Sequence, residues 1–237
     1  MFDVKNLSVS FQKAGETFSV LEELSLSIPT GEFFVLLGES GCGKTTLLRS
    51  LGGFLKPDSG TIKIDEQIVT APSKERMMVF QGFDQLFPWF TLEENIVYAL
   101  KKCGISKKEA ISTAKEYLSM TGLSGFEHQY PAALSGGMKQ RGALARALAL
   151  KPSILLMDEP FSSLDYLTRQ NIQKLVKELT KKIGCTVFLV THDIEEALIL
   201  GDRIGILDKK TKKISSFYTL TDTNKEDLRS TLIKELV

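Results

Sequence analysis

Three apolar runs along the chain are nearly continuous rather than alternating. They occupy residues 32–37, 154–157 and 186–190. Continuous apolar sequence is typical of parallel strands that are covered on both faces, so we predict three buried strands. Polar or glycine-rich residues follow each run, beginning at Gly38, Asp158 and Thr191. Ligands bind outside the carboxyl ends of strands in an open parallel sheet, so these segments are expected to form one shared site.

Shorter alternating segments precede and interrupt this pattern. They lie within residues 2–28 and 61–79, and alternation favours antiparallel strands. Together with the buried runs they predict an α/β fold in which a mostly parallel sheet is accompanied by a small antiparallel β layer. No internal repeat divides the chain, so we expect a single domain over residues 1–237.

The middle of the chain, from about residue 91 to 150, is predicted to be helical. Thr91 with Glu94, and Ser106 with Glu109, have the spacing of capping boxes, which begin helices. We therefore expect a helical subdomain inserted at about residues 83–150.

A short tail follows at about residues 208–237, and we expect it to contain an amphipathic helix. Thr223 with Glu226 is a third capping box, and apolar residues follow at helical spacing. They are Leu228, Leu232, Ile233 and Leu236. The tail also contains the guanine-reading pattern N-K-x-D at residues 224–227. No apolar strand leads into that pattern, so we interpret it as the start of the helix.

Composition narrows the classes of function. Hydrophobic residues make up 43% of the chain and the net charge is +1, which argues against a protein that binds nucleic-acid phosphates. The three cysteines are far apart and have no metal-ligand spacing, which favours a reducing, intracellular compartment. No apolar run approaches the roughly 20 residues that span a bilayer. Any role at a membrane is therefore expected to depend on a partner.

The first buried run leads into a phosphate-binding pattern, G-x-x-x-x-G-K-[ST]. Its residues are Gly38, Glu39, Ser40, Gly41, Cys42, Gly43, Lys44 and Thr45. Glycines permit the tight backbone in which N–H groups point at phosphate oxygens, and the helix that begins near Thr46 adds its positive end. Lys44 is expected to reach the β- and γ-phosphates, and Thr45 to offer its hydroxyl to Mg²⁺. The sequence therefore predicts a P-loop nucleotide triphosphatase core.

Two carboxylates follow the second buried run. Asp158 is expected to hold Mg²⁺ through water, and Glu159 to orient or deprotonate an attacking water. An Asp-Glu pair after a strand is often only a helix cap or a surface turn. The nearby P-loop favours the catalytic interpretation.

The segment Leu134-Ser135-Gly136-Gly137-Met138-Lys139-Gln140-Arg141 distinguishes this chain from other P-loop proteins. It resembles the signature motif of ABC ATPases, and the other motifs of that family occur in the expected order. These are the P-loop, Gln81, the signature, the pair Asp158 and Glu159, Asp165 and His192. The resemblance extends over about residues 2–207.

The resemblance implies a head-to-tail dimer that encloses two ATP molecules together with Mg²⁺. Each ATP would lie between the P-loop of one chain and Ser135, Gly136 and Gly137 of the other. Glu159 would be the general base, and His192 would contact the γ-phosphate. The remaining implied roles are metal binding by Thr45, Gln81 and Asp158, communication across the dimer by Asp165, and stacking on adenine by Phe11, with Phe18 as the alternative.

The partner implied by the resemblance is a membrane permease. The aromatic residues within 83–90 are expected either to dock a helix of that permease or to fill the core of the helical subdomain. Leu86-Phe87-Pro88-Trp89 resembles importers of nitrate, sulfonate or taurine, which implies a peripheral protein on the cytoplasmic face of the membrane and an extracytoplasmic solute-binding protein. An exporter ATPase, a non-transport ABC protein and a monomeric P-loop kinase or GTPase are the alternatives.

Overall fold

The computed structural model describes residues 1–13, 15–82, 84–221 and 225–236. They form two compact units. Unit 1 consists of Met1–Arg76 and Thr186–Val237, and unit 2 of Met77–Cys185. The single domain and the insertion at about 83–150 remain predictions.

Strands and helices alternate along much of the chain. The strands are β1 (Phe2–Lys13), β2 (Glu16–Ile28), β3 (Phe33–Leu37), β4 (Ser59–Ile64), β5 (Gln67–Ile68), β6 (Arg76–Val79), β7 (Ile154–Asp158), β8 (Thr186–Thr191), β9 (Arg203–Leu207) and β10 (Ile214–Thr219). The helices are α1 (Lys44–Leu51), α2 (Leu92–Lys102), α3 (Lys107–Met120), α4 (Gly136–Ala149), α5 (Tyr166–Lys182), α6 (Ile194–Leu200) and α7 (Lys225–Leu236), with a 3₁₀ turn at Pro131–Ala133.

Unit 1 contains a mainly parallel sheet in which β3 lies between β8 and β9. Both pairings of β3 are parallel, while β10 pairs with β9 in the antiparallel direction. Every residue of β3 and β8 is buried, which explains their uninterrupted apolar sequence. The three predicted buried strands are therefore confirmed as β3, β7 and β8.

The antiparallel layer of unit 1 has the strand order β2-β1-β4-β5. β1 pairs with β2 from Phe2 opposite Ile28 to Lys13 opposite Glu16. Buried residues recur along β2 between exposed ones, as its alternating sequence predicts. The small antiparallel β layer is confirmed, but the end of the predicted segment 61–79 does not belong to it, because residues 76–79 form β6 beside β7.

Unit 2 contains the helices α2, α3 and α4, which pack against one another. The Thr91 side chain and the Glu94 side chain cap the start of α2 reciprocally, which confirms the capping box. Gly142 allows α4 to approach its neighbours, because a Cβ atom there would lie 2.7 Å from Leu92 Cδ2. In the same unit β7 lies beside β6 and is buried throughout.

The C-terminal helix α7 of unit 1 packs on α6. Leu228 and Leu232 are buried, whereas Ile233 is 46% exposed. The buried face of α7 is thus narrower than the sequence pattern predicts, because the contact with α6 buries residues four apart and leaves Ile233 exposed. Arg229 Nε lies 2.6 Å from Glu195 Oε1 beside this contact. Thr223 and Asn224, which the capping box and the N-K-x-D pattern require, lie outside the described residues.

Within the described part of the chain, every helix is either too short or too polar to cross a lipid bilayer.

Candidate functional site

The predicted phosphate loop connects the end of β3 to the start of α1 in unit 1. Gly41 and Gly43 have φ angles of 79° and 109°, in the region that side chains other than glycine rarely adopt. Gly43 precedes α1 and provides no side-chain cap, so the positive end of the helix, where N–H groups have no intrahelical acceptor, adjoins the loop. This strand–loop–helix arrangement is the context that the pattern requires.

Lys44 is the first residue of α1 and is only 6% exposed. Its ammonium Nζ donates hydrogen bonds to the carbonyl oxygens of Gly38 at 2.7 Å and Glu39 at 2.8 Å. The positive charge is therefore held against the backbone of its own loop, beside the positive end of α1. An anion placed there would interact with both.

The two ends of the loop differ in their surroundings. A Cβ atom at Gly38 would lie 2.7 Å from Cys42 Sγ and 2.8 Å from the carbonyl oxygen of Leu207, so only glycine fits. Burial raises the pKa of the Cys42 thiol, and this side chain therefore packs as a neutral group. Glu39, Ser40 and Gly41 are exposed, and Thr45 and Thr46 are half-buried at the start of α1.

His192 follows β8 beside the start of the phosphate loop. Leu37 and Thr191, the last residues of β3 and β8, are paired, so both strands end at the same level. Thr191 Oγ1 donates to Glu196 Oε2 at 2.8 Å and accepts from the Asp193 N–H at 3.0 Å. The residues on both sides of His192 are thereby held in place, while His192 itself is exposed. No sequence pattern identifies Thr191 as a positioning group or predicts its bond to Glu196.

Gln81 and Glu159 meet in unit 2. Gln81 Nε2 lies 3.1 Å from Glu159 Oε2, although 78 positions separate the two residues. Asp158 ends β7 and is 3% exposed. Glu159 has a φ of 43°, in the left-handed region that costs a side-chain-bearing residue about 1–2 kcal/mol. Such strain is concentrated at functional sites, which fits the predicted role of Glu159.

The proposed metal ligands offer a threonine hydroxyl, an amide oxygen and a carboxylate. These hard oxygen donors suit a divalent cation such as Mg²⁺. The Gln81 amide donates through Nε2 to Glu159, so Oε1 is the atom that it can offer to a cation. Thr45 belongs to unit 1, whereas Gln81 and Asp158 belong to unit 2. Among the described residues, no group of three or more His, Cys, Asp and Glu side chains could hold a metal, and Mg²⁺ characteristically completes its shell with phosphate oxygens and water.

The signature segment begins helix α4. Ser135 caps the helix, and its Oγ accepts a hydrogen bond from the Met138 N–H at 3.3 Å. Gly136 and Gly137 form the first turn, where the N–H groups of a helix have no intrahelical acceptor. A cavity of about 390 Å³ opens beside these residues and is also lined by Asp165. Unit 2 therefore brings together the signature and Asp165, which lie in separate motifs of the sequence.

Asp165 caps helix α5. Its Oδ1 accepts from the Thr168 N–H at 3.0 Å, and hydrogen bonding to Thr168 is the main cause that lowers the pKa of Asp165. The charge of Arg141 adds to this shift. Arg141 is itself anchored, since Nη1 donates to the carbonyl oxygens of Thr121 at 2.9 Å and Gly122 at 2.8 Å.

Phe11 and Phe18 are paired across β1 and β2. Their ring centroids are 6.0 Å apart, and the side chains are 37% and 45% exposed. Either ring could stack on a base from this surface, so the choice of Phe11 remains a prediction.

Four aromatic side chains of unit 2, which we call the aromatic surface, are in contact with one another. They are Phe87, Trp89, Phe90 and Tyr98. Trp89 is 66% exposed, and the Arg146 guanidinium lies 5.6 Å from the centre of the Phe87 ring. Part of the cluster is therefore packed and part is open to a partner. Phe83 lies outside the described residues.

Comparisons with known proteins point to one family. A family model described as ABC transporter matches residues 21–162. A nitrate import ATP-binding protein of Synechocystis is 44% identical over 84% of this chain and 75% of the relative. A taurine import ATP-binding protein of Pseudomonas aeruginosa is 43% identical over 88% and 79%. A bicarbonate transport ATP-binding protein of Synechocystis is 41% identical over 86% and 73%.

Solved structures resemble the chain over nearly its whole length. The dimeric structure of a bacterial ABC transporter cassette has a TM-score of 0.86 at 34% identity and covers 93% of this chain and 99% of that chain. A dimeric ATP-binding cassette in a post-hydrolysis state with ADP and phosphate has a TM-score of 0.85 at the same identity and coverage.

Proposed function

This chain belongs to the ATP-binding proteins of the ABC transporter family, and from that premise we propose that it drives import of a small anion or related solute through a separate permease. Members of the family hydrolyse ATP with a divalent metal, and the hydrolysis is coupled to transport. The direction and the solute class are supported by one observation. The nitrate and taurine relatives, each above 40% identity over more than four fifths of the chain, are named as importers.

Glu159 is the general base in this proposal. A carboxylate that accepts a hydrogen bond from Gln81 keeps a defined orientation toward an attacking water. Lys44 and the first N–H groups of α1 bind the phosphates, and His192 contacts the γ-phosphate. Mg²⁺ would be held by Thr45, Gln81 and Asp158, and it would neutralise charge on the phosphates.

The proposal includes a head-to-tail dimer. Each ATP lies between the phosphate loop of one chain and Ser135, Gly136 and Gly137 of the other. Exposure of Ser135 and the N–H groups of Gly136 and Gly137, which have no intrahelical acceptor, support this arrangement. Asp165 lines the same cavity as the signature and communicates across the dimer.

The aromatic surface is the proposed docking site for a permease helix on the cytoplasmic face of the membrane. Exposed Trp89 and Tyr98 supply apolar area with polar edges, which is typical of interface anchors. An extracytoplasmic solute-binding protein would complete an importer.

The test is co-purification of the tagged chain from detergent-solubilised native membranes, followed by mass spectrometry. Recovery of a polytopic permease with a solute-binding protein supports import. Trp89→Ala is expected to weaken retention of the permease, whereas Phe126→Ala, at another exposed ring of unit 2, is expected to leave it unchanged. Recovery of only soluble or nucleic-acid partners contradicts the transport role.

A further inference from the structure

Gln85 organises the segment that carries Gln81. Its Oε1 accepts the Phe80 N–H at 2.8 Å, and its Nε2 donates to the carbonyl oxygens of Phe80 at 2.7 Å and Gly82 at 2.8 Å. The amide orientation follows from these partners, because a flipped amide would place its oxygen against two carbonyls. The backbone on both sides of Gln81 is thus held by one side chain.

The same amide reaches the signature helix. Gln85 Nε2 lies 3.2 Å from Oε1 of Gln140, which is on α4 and only 3% exposed. Two N–H hydrogens of Gln85 therefore face three acceptors, so one hydrogen is shared or exchanged between them. The contact to Gln140 is the longest of the three. It is therefore the one that can form or break with the least movement of the backbone at residues 80–82.

Gln140 is unfavourable for folding where it lies. Its Oε1 must face Gln85 Nε2, and this orientation leaves Nε2 pointing into the interior. Among the described residues, that buried Nε2 has no hydrogen-bond partner. A buried donor without an acceptor lowers stability, so packing does not account for an amide at this position. A role in connecting the two segments does.

These contacts form a continuous path within unit 2. It runs from Glu159 to Gln81, through the backbone beside Gln81 to Gln85, and across to Gln140 on the helix that Ser135 caps. Each link is a hydrogen bond or a short stretch of backbone. The path joins the predicted general base to the start of the signature helix.

We infer that Gln85 is a positioning residue whose contact with Gln140 makes the Gln81 segment and helix α4 respond together. The inference rests on the proposed function, in which Gln81 serves the ATP of its own chain and Ser135 serves the ATP of the partner. The Gln85–Gln140 contact then transmits a change at one nucleotide to the other. Losing this contact slows hydrolysis but leaves the phosphate loop, which belongs to unit 1, chemically unchanged.

The test uses Gln140→Met in the full chain, assayed in the complex recovered from membranes. Methionine has a similar length and removes both the acceptor for Gln85 and the unpaired donor, so the thermal unfolding temperature is expected to be equal to or higher than that of the wild type. We expect kcat for ATP hydrolysis to fall by roughly 2- to 30-fold, the range for residues that transmit coupling between sites. KM for ATP and the Kd of a fluorescent ATP analogue are expected to change less than about twofold.

A double-mutant cycle separates this role from a local effect. Gln85→Met also lowers kcat, and the double variant is expected to be no slower than the slower single variant, because both changes remove one contact. Gln129→Met, the same substitution at an exposed site of unit 2, is the matched control and should retain wild-type kcat.

Two results overturn the inference while leaving the proposed function intact. One is a wild-type kcat in Gln140→Met. The other is a double variant whose fold-reduction in kcat equals the product of the fold-reductions of the two single variants. Absence of ATP hydrolysis by the wild-type complex would instead contradict the proposed function.

Discussion

Unit 1 holds Lys44 through carbonyl oxygens five and six residues away, whereas unit 2 holds Glu159 through a side chain 78 residues away. In unit 1 the phosphate loop is one contiguous segment between a buried strand and a helix. In unit 2 the candidate residues come from four separate segments, at Gln81, Ser135, Glu159 and Asp165. Side-chain contacts and a shared cavity bring them together in pairs.

This difference predicts which property of the protein a substitution should change in each unit. Backbone geometry sets the phosphate loop, so substitutions within the loop should act through strain and crowding. Unit 2 depends on specific amides and carboxylates, so a change of one functional group should alter hydrolysis with little effect on folding.

The largest expected effect is that of Glu159→Gln in unit 2. The amide has nearly the same shape but cannot accept a proton, so kcat is expected to fall by about 10²–10⁴-fold. ATP binding should persist, and an ATP-bound dimer should accumulate. Radiolabelled phosphate release and size-exclusion chromatography with ATP check both expectations.

Glu178→Gln makes the same chemical change at an exposed position of α5 and should retain wild-type turnover. Wild-type turnover in Glu159→Gln itself would remove Glu159 from the proposed chemistry.

Gly43→Ala and Gly41→Ala compare crowding with strain in unit 1. Both residues have positive φ, but only at Gly43 would a Cβ atom meet neighbours, at 2.9 Å from Val20 Cγ1. We expect the free energy of unfolding to fall by about 2–3 kcal/mol for Gly43→Ala and about 1 kcal/mol for Gly41→Ala. Urea unfolding measures the difference, and equal losses would show that crowding at Gly43 is unimportant.

Thr191→Val tests whether the position of His192 in unit 1 depends on the Thr191 side chain. Valine keeps the shape but leaves the buried Glu196 without the Thr191 hydroxyl and the Asp193 N–H without its acceptor. The free energy of unfolding is expected to fall by about 1–2 kcal/mol, with a lower kcat because His192 is less well placed.

Thr191→Ser retains the hydroxyl, so it should recover most of the loss in both measurements. If serine is as harmful as valine, the hydroxyl alone does not rescue the protein, and the role assigned to these hydrogen bonds is contradicted.

Features that depend on neighbours in the chain could be predicted from the sequence. The three buried strands, the capping box at Thr91 and the glycine-rich loop before α1 follow from periodicity, local hydrogen bonding and the φ angles that glycine permits. The helix α7 was also predicted, but exposed Ile233 shows that spacing alone did not identify which residues its neighbour would cover.

The sequence by itself therefore determined the phosphate loop and the order of the motifs, because those signals lie in contiguous residues. Only the tertiary structure decided that Gln81 meets Glu159, that Gln85 meets Gln140, and that Thr191 is bonded to Glu196. Contacts across loops require particular packing, such as the close approach of α4 that Gly142 allows. Periodicity and capping do not specify that packing, since many arrangements bury the same apolar faces without bringing these particular polar side chains together.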